Sequence, residues 1–178
     1  PVLGTDFDAI SDGTMLANSG NLQVRSVGVN FRDVLNVLGA YPGDPGPPGA
    51  DCAGVWAQNI TGAHAGDGAF GMAPGSLGSM VMGNMMFMPP KPVAMSFEAA
   101  STTPTVFVTT QLALQPANNL CPRDYLLVHA AAGGIGLSAL QLTQPLGTKC
   151  AGTAGGPNKR TLVRTFGVQT SVASRGTS

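Results

Sequence analysis

Residues 129–136 read HAAAGGIG, between the apolar run DYLLV (124–128) and the helix-forming run LSALQL (137–142). A strand that enters a tight glycine turn and leaves as a helix points backbone N–H groups and the positive end of a helix dipole at its ligand. That suits a pyrophosphate. Gly133, Gly134 and Gly136 give the turn its room, Ala132 and Ile135 complete it, and Ala131 stands where the strict G-x-G-x-x-G pattern has its first glycine. Residues 131–136 are therefore the candidate dinucleotide contacts. A tight strand-to-helix turn that binds nothing is the competing reading.

The next apolar run, KCAGTAG (149–155), selects between cofactors through the residues at and beyond its end. An NAD site presents an acidic residue to the ribose hydroxyls, whereas an NADP site needs positive charge for the 2′-phosphate. From Thr153 the sequence continues TAGGPNKR (153–160), with no acid and with Lys159 and Arg160 at its end. NADPH is the expected cofactor, with Thr153, Lys159 and Arg160 beside it. Alternatively, Lys159 and Arg160 are solvated residues of a helix's first turn.

The elements that position these residues follow from periodicity. Residues 124–130 predict a buried strand, 134–147 a helix that ends or kinks at Pro145, 149–155 a second strand, 158–167 a second helix and 168–174 a third strand, which together predict a parallel sheet. The first half differs in character. A strand at 22–30 leads to a helix at 31–41 with Phe31, Val34, Leu35 and Leu38 on one face, and a Pro/Gly-rich loop spans 42–51. Short strands at 52–57, 68–73, 78–83 and 85–89 then predict a compact, mostly β, barrel-like domain. The five methionines from Met80 to Met88 read as core filler, with a ligand surface as the alternative. Ser96 is a plausible N-cap for a helix over 96–102, a second helix runs over 103–115, and the domains divide as 1–100 and 101–178.

Composition narrows the function classes. With 43% hydrophobic and 10% charged residues the chain is not of the disordered type, and nine basic residues against nine acidic ones leave no broad field for nucleic acid or a membrane surface. The three cysteines are widely spaced and odd in number, which fits reduced thiols in a cytoplasmic setting. No cysteine pair has zinc spacing and the two histidines complete no cluster, so no metal site is expected.

Five blocks in order, VGVNFRDVLNVLGAYPG (27–43), MAPGSLGS (72–79), PKPVAMSFEAAS (90–101), LLVHAAAGGIGLSALQL (126–142) and TAGGPNKRTLVRTFGV (153–168), resemble the enoylreductase domain of polyketide synthases. That domain belongs to the zinc-free branch of the medium-chain dehydrogenase/reductase family. The resemblance implies a GroES-like β-barrel domain followed by a Rossmann domain, here only partial, with the active site in the cleft between them. It also implies NADPH-dependent reduction of an enoyl thioester carried on an acyl carrier protein among other polyketide synthase domains. Hydride adds to the β-carbon and a proton to the α-carbon. By the same resemblance Tyr41, in the matching G-x-Y, is the candidate acid, with a packing role as the alternative. Asn30 either faces nicotinamide or substrate, or bonds loop backbone. Arg32 and Asp33 pair with neighbours or solvent, and His129 is structural.

Departures from the family pattern lie at TTQLAL (109–114), where Gln111 and Leu112 replace aromatic residues, and at Gly68, which replaces an arginine. The family continues beyond the point matched by Ser178, so the resemblance implies a truncated sheet. A zinc-free quinone reductase and a non-catalytic remnant are the competing functions.

Overall fold

The computed structural model describes residues 18–114, 120–122 and 124–175. The chain divides into two units, Pro1–Thr105 and Val106–Ser178.

In the first unit β1 (Ser19–Gly28) is the spine of an antiparallel sheet. It pairs with β2 (Asp51–Trp56) on one side and β4 (Met80–Asn84) on the other, and β3 (Gly68–Met72) extends the sheet beyond β2. A register shift between Val24 and Ser26 bends β1. Leu22, Cys52, Trp56, Ala69, Val81 and Met88 pack the core beneath it.

Two details differ from the sequence expectation. Residues 85–89 do not form a strand of their own, although Phe70 and Met72 of β3 donate backbone hydrogen bonds to Pro89 and Phe87. Pro89 has no N–H to return to Phe70, so the pairing is reduced to an isolated bridge between Ala69 and Pro90, closed by the Lys91 N–H onto the Gly68 carbonyl at 2.8 Å. The segment still lies tight against β3, because at Gly71 (φ 154°) a Cβ would sit 1.9 Å from the Phe87 carbonyl oxygen. The methionines are not uniformly core filler either: Met88 is fully buried and Met85 packs against the core, but Met80, Met82 and Met86 are exposed. Alternation along β4 turns Met80 and Met82 to its outer face while Val81 points inward.

Helix α1 (Phe31–Val37) inverts its expected polarity. Its one buried residue is Asp33, at 3% exposure, whereas Phe31, Val34, Val37 and Leu38 face outward. Helix α2 (Phe97–Ser101) starts as expected from Ser96, whose hydroxyl accepts the Ala99 amide at 3.1 Å. Hydrogen bonds from its own backbone amide and then from Ser96 hold the Glu98 carboxyl below its ordinary range.

Helix α3 (Pro104–Leu114) follows the expected span but begins at Pro104, one residue after Thr103, and Gln115 lies outside the described residues. In the second unit Thr110 of α3 shares a 2.5 Å hydroxyl contact with Ser138 of α4 (Gly134–Thr143). Strands β5 (Tyr125–Val128), β6 (Lys149–Ala154) and β7 (Thr170–Ala173) form a parallel sheet in that order. The first crossover helix stops at Thr143, and a single 3₁₀ turn over Gln144–Leu146 takes up Pro145. Helix α5 (Pro157–Thr165) provides the second crossover. Val128, Ala139, Leu140, Cys150, Val163 and Val168 form the core between these helices and one sheet face. Strand β5 is not buried as expected: among the described residues it pairs only with β6, and Tyr125 and Leu127 alternate outward from that core.

Among the described residues no helix is long and apolar enough to cross a membrane, and no three His, Cys, Asp or Glu side chains could hold a metal ion.

Candidate functional site

The glycine turn of the second unit is built between β5 and α4. Its backbone is stapled to the end of β6: the Ala131 N–H donates to the Thr153 carbonyl at 2.9 Å and the Ala130 N–H to Thr153 Oγ1 at 3.2 Å. Thr153 Oγ1 also lies 3.4 Å from His129 Nδ1, so both side chains shape the turn. Ala130 takes a left-handed conformation (φ 50°). The Gly133 N–H then closes onto the Ala130 carbonyl at 2.8 Å, and the helical ladder opens with Leu137 N–H to the Gly133 carbonyl at 2.8 Å.

The six turn residues expected at the cofactor divide by task. Ala131 is fully buried and Gly136 is buried against it: a Cβ on Gly136 would lie 2.6 Å from Ala131 Cα and 2.7 Å from the Ala130 carbonyl oxygen. Only glycine lets the helix seat there. Ala132 is half-buried, whereas Gly133, Gly134 and Ile135 are exposed. The first-turn N–H groups of a helix have no carbonyl ahead of them, so Gly134, Ile135 and Gly136 offer donors and the dipole's positive end at the rim of the turn.

Parallel pairing of Val128 with Gly152 brings the ends of β5 and β6 to the same edge of the sheet. Beyond β6, Gly156 caps α5, and Lys159 and Arg160 fall in and just after its first turn, which contains no acidic residue. Lys159 is exposed, Arg160 half-buried, and neither has an ion-pair partner among the described residues. This edge thus offers backbone donors, a helix N-terminus and two cations suited to a phosphate-rich ligand.

In the first unit, Asn30 is the N-cap of α1. Its N–H donates to Asp33 Oδ2 at 2.9 Å, and its Nδ2 donates to Asp51 Oδ2 at 3.1 Å. Asp33 uses its other oxygen to accept the Gly49 N–H at 3.0 Å, tying the start of the helix to the end of the Pro/Gly-rich loop. Two further ties pin that loop: the Arg32 guanidinium donates to the Pro45 carbonyl, and Asn36 Nδ2 donates to the Gly46 carbonyl at 3.0 Å. Tyr41 lies between helix and loop, where the Ala40 N–H bonds the Leu35 carbonyl at 2.8 Å. Its ring is half-buried and its hydroxyl has no protein partner among the described residues.

Sequence reasoning missed Asp51 and underrated Asp33. The signal for Asp51 is long-range: antiparallel register pairs it with Gly28, two residues before Asn30. Asp51 is 2% exposed and also accepts the Thr105 hydroxyl at 2.6 Å and the Thr105 N–H at 3.2 Å. Beside it, burial pushes the Cys52 thiol up to about 11, with the Asp51 carboxylate adding to the effect and the Ser76 hydroxyl opposing it. Gln111 and Leu112 are both exposed on α3.

No family model matches the chain. It is 36% identical over 143 residues to the phenolphthiocerol synthesis polyketide synthase type I Pks15/1 of Mycobacterium marinum, spanning 79% of this chain and 7% of that protein. It is also 36% identical over 136 residues to the pikromycin polyketide synthase component PikAII of Streptomyces venezuelae, spanning 75% of this chain and 4% of that one. Among solved structures, the CurK enoyl reductase superposes with a TM-score of 0.81 at 32% identity, covering 90% of this chain and 52% of that one. The quinone oxidoreductase of Escherichia coli, solved with NADPH, gives a TM-score of 0.78 at 28% identity, covering 91% and 52%. The chain therefore spans a small part of its polyketide synthase relatives and about half of the reductase structures it matches. The described antiparallel sheet and the three parallel strands with their helices are the GroES-like part and a partial Rossmann part of that reductase fold. By sequence the chain is similar to a segment of polyketide synthases, and by fold to the solved enoyl reductase and quinone oxidoreductase structures.

Proposed function

We propose that the chain is the NADPH-binding and proton-donating part of an enoylreductase, which reduces the α,β double bond of an enoyl thioester within a polyketide synthase. The observation that carries this reading is the end of the parallel sheet where β5 and β6 lead into the α4 N-terminus and into the first turn of α5, with no acid in either first turn and with Lys159 and Arg160 unpaired among the described residues. The polyketide synthase relatives and the enoyl reductase among the matching structures support this substrate class, and an acyl carrier protein with its neighbouring synthase domains is the partner this reading requires.

Mechanism then divides among the residues. Backbone N–H groups at Gly134, Ile135 and Gly136 would hold pyrophosphate, and Lys159 and Arg160 the 2′-phosphate. NADPH supplies the hydride when bound. Tyr41, its hydroxyl without a protein partner among the described residues, donates the proton taken up at the α-carbon, and Asn30 hydrogen-bonds the thioester or nicotinamide.

The test is a fluorescence titration with NADPH and NADH, followed by turnover of a crotonyl thioester of N-acetylcysteamine. Saturable NADPH binding that weakens about ten-fold or more in Lys159→Ala/Arg160→Ala, with NADH binding unchanged, supports the cofactor assignment. Tyr41→Phe should lower kcat by about 100-fold while leaving NADPH affinity intact. The NADPH-bound quinone oxidoreductase among the matching structures supports a second reading, quinone reduction. NADPH oxidation faster with a quinone than with any enoyl thioester would favour it.

A further inference from the structure

We infer that Asp51 is a positioning residue for the proposed reduction: it fixes the Asn30 carboxamide so that Asn30 acts there as a hydrogen-bond donor. This deepens the enoylreductase reading and rests on it. An asparagine side chain can rotate by half a turn and exchange its donor for its acceptor with almost no change of shape. What prevents that exchange is a neighbour that only accepts or only donates. An ionised carboxylate only accepts, and Asp51 Oδ2 lies 3.1 Å from Asn30 Nδ2.

Asp51 is itself held. Thr105 gives it a hydroxyl at 2.6 Å and a backbone N–H 3.2 Å from each oxygen, and the carboxylate is 2% exposed. Both oxygens are thus engaged by donors, as a buried carboxyl group requires. The Gly28–Asp51 register fixes its backbone, and the Asp33 bond to the Asn30 N–H fixes the backbone on the other side. With one Nδ2 hydrogen committed to Asp51, the second is the donor left over, since no other protein group takes it among the described residues. A donor is what a carbonyl oxygen gaining negative charge needs, and the thioester oxygen gains it when hydride reaches the β-carbon.

The test uses the full chain and reads structure and chemistry separately. By NMR, the Asn30 side-chain amide pair, identified by its absence in Asn30→Asp, is expected to show one hydrogen shifted downfield and slow to exchange. Asp51→Asn should collapse that difference, because its amide satisfies either orientation of Asn30. Thr105→Val, which keeps the backbone N–H, should weaken it, and Thr105→Ser should retain it. With crotonyl thioester, Asp51→Asn is expected to lower kcat about ten-fold with KM for NADPH unchanged, and Thr105→Ser to keep wild-type kcat. An Asn30 pair identical in wild type and Asp51→Asn, or a moved pair with unchanged kcat, overturns the inference. The expected amide signature in a wild-type chain without turnover on any enoyl thioester would instead overturn the enoylreductase reading.

Discussion

Cys52 ties the chain's stability to pH through a single thiol. In the folded chain burial raises it from an ordinary 9.0 to about 11, so between those values the unfolded chain carries a thiolate while the folded chain keeps its proton. The folded state then binds more protons than the unfolded state, and stability falls as pH rises from about 9 to 11. Below that window the contribution is fully present. The expected loss is on the order of 2 kcal/mol, visible as an earlier urea midpoint in tryptophan emission at pH 11 than at pH 8. Cys52→Ala should flatten that decline; an equal decline in the variant would assign the effect elsewhere. Asp33 and Asp51 lie at the same scale and show why polar residues were harder to place than apolar ones. Nothing local in RD or AD marks a carboxylate for burial. Its partners, Gly49 for one and Thr105 for the other, are brought to it only by the folded loop and sheet.

At the scale of elements, the strand–helix–strand order of the second unit was legible because apolar runs, glycine turns and Pro145 each act locally. The seating of α4 on its turn depends on one missing Cβ, so Gly136→Ala should force the helix away from Ala131. The expected cost is about 1–3 kcal/mol, with weakened NADPH binding, measured by thermal unfolding and by titration. An unchanged melting temperature would show that the contact relaxes freely. Less legible were the elements whose environment contradicts their pattern. The apolar spacing of α1 correctly indicated a helix and wrongly suggested which face is buried, because polar ties from Arg32, Asp33 and Asn36 anchor it. The 85–89 run had strand-like residues but ends in Pro89, and β5 read as buried although among the described residues it pairs only with β6. The candidate turn could be located from sequence, whereas the division of its six residues between packing and exposed rim required their burial.

For the whole molecule, charge and exposed apolar surface act together. The formal net charge is zero near neutrality and the sequence pI is about 7.2, while Phe31, Val37, Leu38, Met82 and Tyr125 are among the large side chains left exposed. With little net charge to oppose association, apolar contact between copies meets least resistance near that pH. Solubility should pass through a minimum close to pH 7.2 and rise about two pH units to either side, as measured by light scattering of concentrated samples. A scattering profile independent of pH would show that charge does not limit association.

Trp56 is the single tryptophan of the chain, only 2% exposed in the core of the first unit. All indole emission therefore originates in one of the two units, and the parallel-sheet unit is optically silent at those wavelengths. A denaturation curve followed by that light is a record of the antiparallel unit, and the other unit needs a reporter of its own, such as an indole introduced in place of Phe166.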